Sequence, residues 1–231
     1  MTTATTATTA APERRPGRVQ RYVFAERLVH AAAAISFLYL MLTGLAFWAP
    51  ALYWLAIGLG GGYLSRVLHP WAGLVFTATV VWMYMVWRRD MKITAADRTW
   101  RAAMARYVRN EDAFVPAVGR FNYGQKMLFW LMAWGGAALL VSGLVLWFVA
   151  SVPWELRSLR YAAILVHAVA ALVTIGGFIV HVYMGVAVVP GSLAAVIHGD
   201  VTEDWARQHH PIWFSEIGQA PDRDRDAAPR R

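Results

Sequence analysis

Apolar positions along this chain collect into four long runs, about Val29 to Trp48, His69 to Trp87, Met127 to Val149 and Tyr161 to Val189, separated by polar and Arg-rich stretches. Each run is close to or above the roughly 20 helical residues that cross a hydrocarbon core. The fourth is longer than a bilayer needs, which predicts a helix that tilts or protrudes at one end. The pattern predicts an all-α integral membrane protein, a four-transmembrane-helix bundle over 24–216 with both chain ends on one side. The Thr- and Ala-rich start, 1–23, and the Asp-Arg repeats of 217–231 are too polar to bury a core and are expected to be disordered tails. The first 18 residues contain no apolar stretch before a cleavage site, so they do not read as a secretory signal. Within the connection 88–126, Thr94 with Asp97 three residues on forms a capping signal, and Trp100, Met104, Tyr107 and Val108 share a helical face. A short interfacial helix is expected there.

Composition and charge add an orientation. Of 231 residues 58% are apolar and only 16% charged, yet 22 Lys and Arg against 14 Asp and Glu leave a net +8. A basic, strongly apolar chain points to membrane rather than nucleic acid. Nineteen of the 22 basic residues lie before the first run, in 88–126, or after the fourth run; Arg66, Arg157 and Arg160 alone lie in the other connections. Lys and Arg accumulate in cytoplasmic loops, so both termini are expected on the cytoplasmic side of a bacterial inner membrane. The absence of Cys excludes disulfides, thiolate-held zinc or iron–sulfur centres and Cys-x-x-Cys-His haem attachment within this chain. Any redox centre here must use other ligands.

Seven His are present, and His30, His69, His167 and His181 fall within or at the ends of the apolar runs, where an ionisable group is costly. A neutral imidazole bonded to a neighbouring helix carbonyl would explain any one of them. Four together have ordered depths. His167 and His181 are 14 residues apart, about 40° short of four turns and about 21 Å along one helix, so they share a face at opposite ends. The up-down topology then pairs His30 with His181 at one depth and His69 with His167 at the other. Two stacked imidazole pairs are what two b-type haems require, each iron held from two helices with no axial position left open. Zinc or copper would want three or four clustered ligands. Ala31 to Ala34, Gly73, Gly176 and Gly177 would leave room for a flat macrocycle, although close helix packing is the commoner use of such residues.

Several strings carry a resemblance. Leu68-His69-Pro70, Phe121-Asn122-Tyr123-Gly124-Gln125-Lys126 followed by Phe129-Trp130, His167, His181-Val182-Tyr183-Met184, and Trp205-Ala206-Arg207-Gln208-His209-His210-Pro211-Ile212-Trp213 resemble, in order, the gamma (cytochrome b556) subunit of respiratory formate dehydrogenase. The similarity runs from about Arg27 to Glu216. It implies two b haems, with His69 and His167 on the periplasmic side and His30 and His181 on the cytoplasmic side. It also implies that Asn122 and Gly124 line a quinone pocket near the cytoplasmic haem, with Gln125 adjacent. An Asn cap and a Gly turn opening a helix would account for those two residues without a ligand. Tyr123 departs from the smaller residue expected there. His209-His210-Pro211 lacks acidic or thiolate company and suits a packing surface better than a metal site, and His198 carries no signal of a role.

The mechanism implied by the resemblance begins on a periplasmic molybdenum- or tungsten-pterin alpha subunit that oxidises formate. Electrons pass through an iron–sulfur beta subunit to the outer haem, cross to the inner haem, and reduce menaquinone or ubiquinone with protons taken from the cytoplasm. A higher-order oligomer of the complex is compatible with this. In this scheme the chain carries only electrons across, and no carboxylate lies within the apolar runs to serve as a proton wire. An alternative of the same class is the cytochrome b subunit of a membrane-bound nickel–iron hydrogenase. One of another class is a small transporter or structural anchor without haem, against which the scarcity of other buried polar groups speaks.

Overall fold

The computed structural model describes residues 14–109, 111 and 115–219; residues 1–13 and 220–231, belonging to the two expected tails, lie outside the described residues. The chain opens with strands β1 (Arg14–Arg15) and β2 (Arg18–Gln20) and enters α1 (Phe24–Trp48), whose first turn is closed by Glu26 accepting from the Val23 amide at 3.0 Å. A single 3-10 turn and α2 (Trp54–Gly58) lead to α3 (Gly62–Trp87). The next connection holds α4 (Ala95–Ala102) and α5 (Met104–Val108). Then come α6 (Tyr123–Trp147) and α7 (Arg157–Tyr183), the latter continued by a π-helical turn over Met184–Val188. The chain closes with α8 (Ser192–His198), β3 (Asp200–Thr202), α9 (Glu203–His209) and α10 (Pro211–Gln219).

Among the described residues four helices, α1, α3, α6 and α7, are long and apolar enough to cross a membrane. All four start earlier than expected, α1 at Phe24 rather than Val29 and α6 at Tyr123 rather than Met127. α3 begins at Gly62 rather than His69, because the break in the chain falls at Gly60 and Gly61, both at φ +95°, and Pro70 denies a partner to the Arg66 carbonyl alone. α7 begins at Arg157, ahead of Tyr161, and with its π turn makes the long fourth span. α1 packs mainly on α3 and α6 mainly on α7, giving two antiparallel hairpins joined through α3 and α6. Large apolar side chains such as Ile35 and Trp134 remain 70% exposed, as side chains facing lipid must be. Several hydroxyls within the spans turn back on their own helix: Ser36 donates to the Ala32 carbonyl at 2.7 Å and Thr174 to that of Ala170 at 2.9 Å.

One end of the bundle carries a folded polar layer. Residues 14–15 and 18–20, expected within a disordered tail, instead enter a small antiparallel sheet in the order β1-β2-β3, with Val19 opposite Val201. Val19 is worth ordering because it is buried with Ala195, Val201, Ala206 and Trp213. The sheet ties the segment before α1 to the segment after α7, so both lie at the same end of the bundle. Gly199, at φ +89°, makes the junction: its carbonyl accepts from the Arg21 and Tyr22 amides at 2.8 and 3.0 Å, and a Cβ there would lie 2.8 Å from the Tyr22 carbonyl. α10 likewise runs to Gln219, past the start of the expected tail at 217.

The connection between α3 and α6 forms the Thr94–Asp97 capping box, but the helix breaks at Ala103. The break turns Trp100 and Tyr107 inward, ring centres 5.1 Å apart, against Val188 and Val189, and leaves Met104 and Val108 exposed. The expected single apolar face is therefore divided.

Several charges at this end are internal. Glu26 accepts from the Trp87 indole at 2.6 Å and from Arg120 at 2.7 Å, and Asp97 pairs with Lys126 at 2.8 Å. Burial raises the Asp97 carboxyl, but the Lys126 ammonium and the Thr94 amide and hydroxyl outweigh it and hold its pKa below the ordinary range.

Candidate functional site

The four span histidines meet as two pairs. His30, in the second turn of α1, and His181, in the last turn of α7, have ring centres 6.1 Å apart, tilted by 59°. His69 on α3 and His167 on α7 have ring centres 6.4 Å apart, tilted by 54°. The first pair lies at the end bearing the polar layer, the basic end, and the second at the opposite end. Between them lies an aromatic layer in which Phe37 meets Phe76 at 5.4 Å and Phe178 at 5.2 Å.

An imidazole nitrogen sits about 2 Å from a metal it holds and about 1 Å from its own ring centre, so two imidazoles on opposite sides of one ion have ring centres about 6 Å apart. Both pairs meet that separation. Among the described residues no three His, Cys, Asp or Glu gather in one place, which suits two axial ligands on a macrocycle and not a protein cage. Glycines adjoin both rings of the opposite-end pair: a Cβ on Gly44 would lie 3.7 Å from His69 Cε1, and one on Gly143 would lie 3.2 Å from His167 Cε1. The small residues noted in the sequence divide in function. A Cβ on Gly177 would collide with Leu131 and Ala33 lies in the core, which marks helix packing, whereas Gly176 faces open space.

Two buried hydroxyls touch the opposite-end pair. Thr43 Oγ1 lies 2.7 Å from His69 Nδ1 and Ser142 Oγ lies 3.0 Å from His167 Nδ1. Neither residue stands out in the sequence alone, since a lone hydroxyl in an apolar helix usually satisfies itself. The signal that finds them is a repeat: Leu42-Thr43-Gly44-Leu45 on α1 and Val141-Ser142-Gly143-Leu144 on α6 occupy corresponding places in the two hairpins.

At the basic end, Asn122 and Gln125 cap α6 reciprocally: Asn122 Oδ1 accepts from the Gln125 amide and Gln125 Oε1 from the Asn122 amide, both at 3.0 Å. The cap spends Asn122 Oδ1 and leaves its Nδ2 outside that exchange. Gly124 and Gln125 are half-buried. Tyr123 packs in one cluster with Met184, a turn beyond His181, so the start of α6 lies against the end of α7 that carries the basic-end histidine.

His209 and His210 pack against the bundle. His210 is buried; its Nδ1 donates to the Gly119 carbonyl at 2.8 Å and its Nε2 accepts from Arg21 at 3.0 Å. Arg21 is itself buried, its guanidinium about 5 Å from the ring centres of Tyr22, Trp205 and Trp213. Burial and then the Arg21 charge push the His210 imidazole well below its ordinary pKa. His198 is exposed at the end of α8.

Four apolar helices that hold two imidazole pairs between them define a membrane protein of the cytochrome b class. The chain belongs to the prokaryotic cytochrome b561 family, whose profile matches residues 21–199. Membership implies b-type haem and a role in electron transfer. Over 206 residues the chain is 34% identical to the cytochrome b556(fdo) subunit of formate dehydrogenase from Escherichia coli K12, covering 88% of this chain and 95% of that subunit. It is 31% identical over 205 residues to the nitrate-inducible cytochrome b556(Fdn) subunit of the same organism, covering 87% and 93% of the two chains. It is 32% identical over 200 residues to the formate dehydrogenase cytochrome b556 subunit of Haemophilus influenzae, covering 86% and 83%.

Proposed function

We propose that this chain is the membrane electron-transfer subunit of a formate dehydrogenase complex, holding two b haems and delivering electrons to quinone. The single observation that carries the reading is the meeting of four imidazoles as two pairs with ring centres 6.1 and 6.4 Å apart. His69 and His167 would hold one haem and His30 and His181 the other. A b haem with two imidazole ligands supplies one-electron transfer without an open coordination position. The likeness to three formate dehydrogenase subunits over 83–95% of their length supports formate as the source of electrons.

The residues around these pairs have separate tasks. The apolar spans exclude water from the imidazoles, and the Phe37, Phe76 and Phe178 layer fills the space between the two depths. Asn122, Gly124 and Gln125 would line the quinone pocket at the basic end, where the Asn122 Nδ2 can donate to a quinone carbonyl. Lys126 steadies that first turn of α6 from within, donating to Asp97 at 2.8 Å and to the Lys92 carbonyl at 3.0 Å. By the distribution of Lys and Arg, the basic end faces the cytoplasm of a bacterial inner membrane, both termini included. Quinone then takes up its protons on that side, and an iron–sulfur subunit bound to a molybdenum- or tungsten-pterin subunit docks at the other.

The test is to purify the chain from its native membrane with its neighbours. A pterin-containing protein and an iron–sulfur protein are expected, together with formate-dependent reduction of the b haems. A nickel–iron partner and reduction by hydrogen would instead make it a hydrogenase subunit.

A further inference from the structure

The two histidine pairs differ in what holds their rings. Thr43 Oγ1 is 2.7 Å from the Tyr39 carbonyl as well as 2.7 Å from His69 Nδ1. Ser142 Oγ is 2.6 Å from the Ala138 carbonyl as well as 3.0 Å from His167 Nδ1. A hydroxyl has one proton, and a carbonyl can only accept, so each hydroxyl donates to its own helix and accepts from the imidazole. The proton of each ring is therefore on Nδ1, and Nε2 carries the lone pair that can bind a metal. Both hydroxyls are deeply buried, Thr43 at 0% and Ser142 at 4% exposure, so water does not compete for these bonds. Among the described residues neither His30 nor His181 has a corresponding side-chain partner.

We propose that Thr43 and Ser142 are positioning residues of the opposite-end haem, fixing the tautomer of both its ligands and setting its potential below that of the basic-end haem. This rests on the haem ligation proposed above. A hydrogen bond accepted from Nδ1–H moves electron density toward Nε2, makes the imidazole a stronger donor and favours ferric iron. Two such bonds act on one haem and none on the other. The positive charge gathered at the basic end acts in the same sense, since Arg and Lys nearby favour the reduced, less positive iron there. Electrons entering at the opposite end would then run downhill to the basic end. The same relation of residues appears in both hairpins, Thr43 on α1 to His69 on α3 and Ser142 on α6 to His167 on α7, so the opposite-end site is built from two equivalent halves. The basic-end pair joins α1 to α7 and lacks that equivalence.

The test is a redox titration of the b haems, followed optically, in the purified complex and its variants. Unmodified complex with fewer than two b haems overturns the ligation itself, and is distinguishable from a failure of the positioning role. With two haems present, the lower-potential one is expected to be that missing in His69→Ala; its absence from His30→Ala instead overturns the proposal. Thr43→Val and Ser142→Ala are expected to move that haem alone to higher potential, and Thr43→Ser to titrate like the parent. Loss of that haem alone in Thr43→Val, with Thr43→Ser normal, supports the same assignment. Unshifted titrations in Thr43→Val and Ser142→Ala, an equal shift in Thr43→Ser, or movement or loss of the other haem overturns it.

Discussion

A Cβ placed on Gly143 would lie 3.2 Å from Cε1 and 3.6 Å from Nδ1 of His167, so the ring stands directly on the backbone of α6. The imidazole has little room to retreat, because the hydroxyl of the preceding residue, Ser142, already contacts Nδ1. Gly143→Val is therefore expected to displace His167 and remove one b haem of two while His30 and His181 keep theirs. Haem quantified per chain checks this; two haems in Gly143→Val would show that the ring has another place to go.

The pairing of Lys126 with Asp97 is a buried one, the side chains 10% and 5% exposed. Removing one partner of such a pair costs about 3–5 kcal/mol because the other charge is left uncompensated. Lys126→Met is expected to lower the thermal stability of the detergent-solubilised protein by that order. Lys126→Met combined with Asp97→Asn should recover part of it, since neither buried charge then remains, and unfolding curves for the three proteins measure this.

His210 supplies a pH dependence whose sign is fixed by its bonds. The folded protein holds the ring neutral, through Arg21 donating to Nε2, and its folded pKa is depressed by burial and by the Arg21 charge. The unfolded chain takes up a proton near pH 6.5 while the folded chain does not, so stability falls as the pH drops below about 6.5. Gln can accept from Arg21 and donate to the Gly119 carbonyl but does not titrate. His210→Gln is expected to lose less stability between pH 7 and pH 5 than the parent, measured by thermal unfolding at both.

Asn122 offers a way to separate a cap from a ligand site. Asp caps a helix as well as Asn does, yet it lacks the Nδ2 donor. Asn122→Asp is expected to keep the cap, at a cost in stability from placing a carboxylate at a buried position, and to slow quinone reduction several-fold while haem reduction by formate continues. Asn122→Ala loses the cap as well, at about 1 kcal/mol. Steady-state quinone reduction alongside haem reduction kinetics distinguishes the two steps; full quinone activity in Asn122→Asp would confine Asn122 to capping.

The number of the spans was legible because apolar length acts over whole helices. The depth order of His30, His69, His167 and His181 followed from the rise per residue together with the up-down order of the spans. What escaped was local or long-range. The start of α3 is set by two glycines at φ +95°, ahead of the apolar run, and Pro70 sits inside the helix at the loss of one backbone bond. The segment 14–23 looks like tail because its partner, β3, lies some 180 residues on, and no local pattern announces that pairing. Thr43 and Ser142 were hidden because a hydroxyl bonded to its own helix and one that also holds a histidine read alike in sequence. The repeated Thr-Gly and Ser-Gly dipeptides are the trace they leave.

Haem per chain, quantified in the purified protein and in two single variants, tests the two-pair ligation at its root. Two b haems are expected in the parent and one in each of His30→Ala and His69→Ala. The two variants should differ spectrally, because each keeps the haem that the other lacks. A parent with fewer than two b haems, or variants with identical spectra, would contradict the ligation.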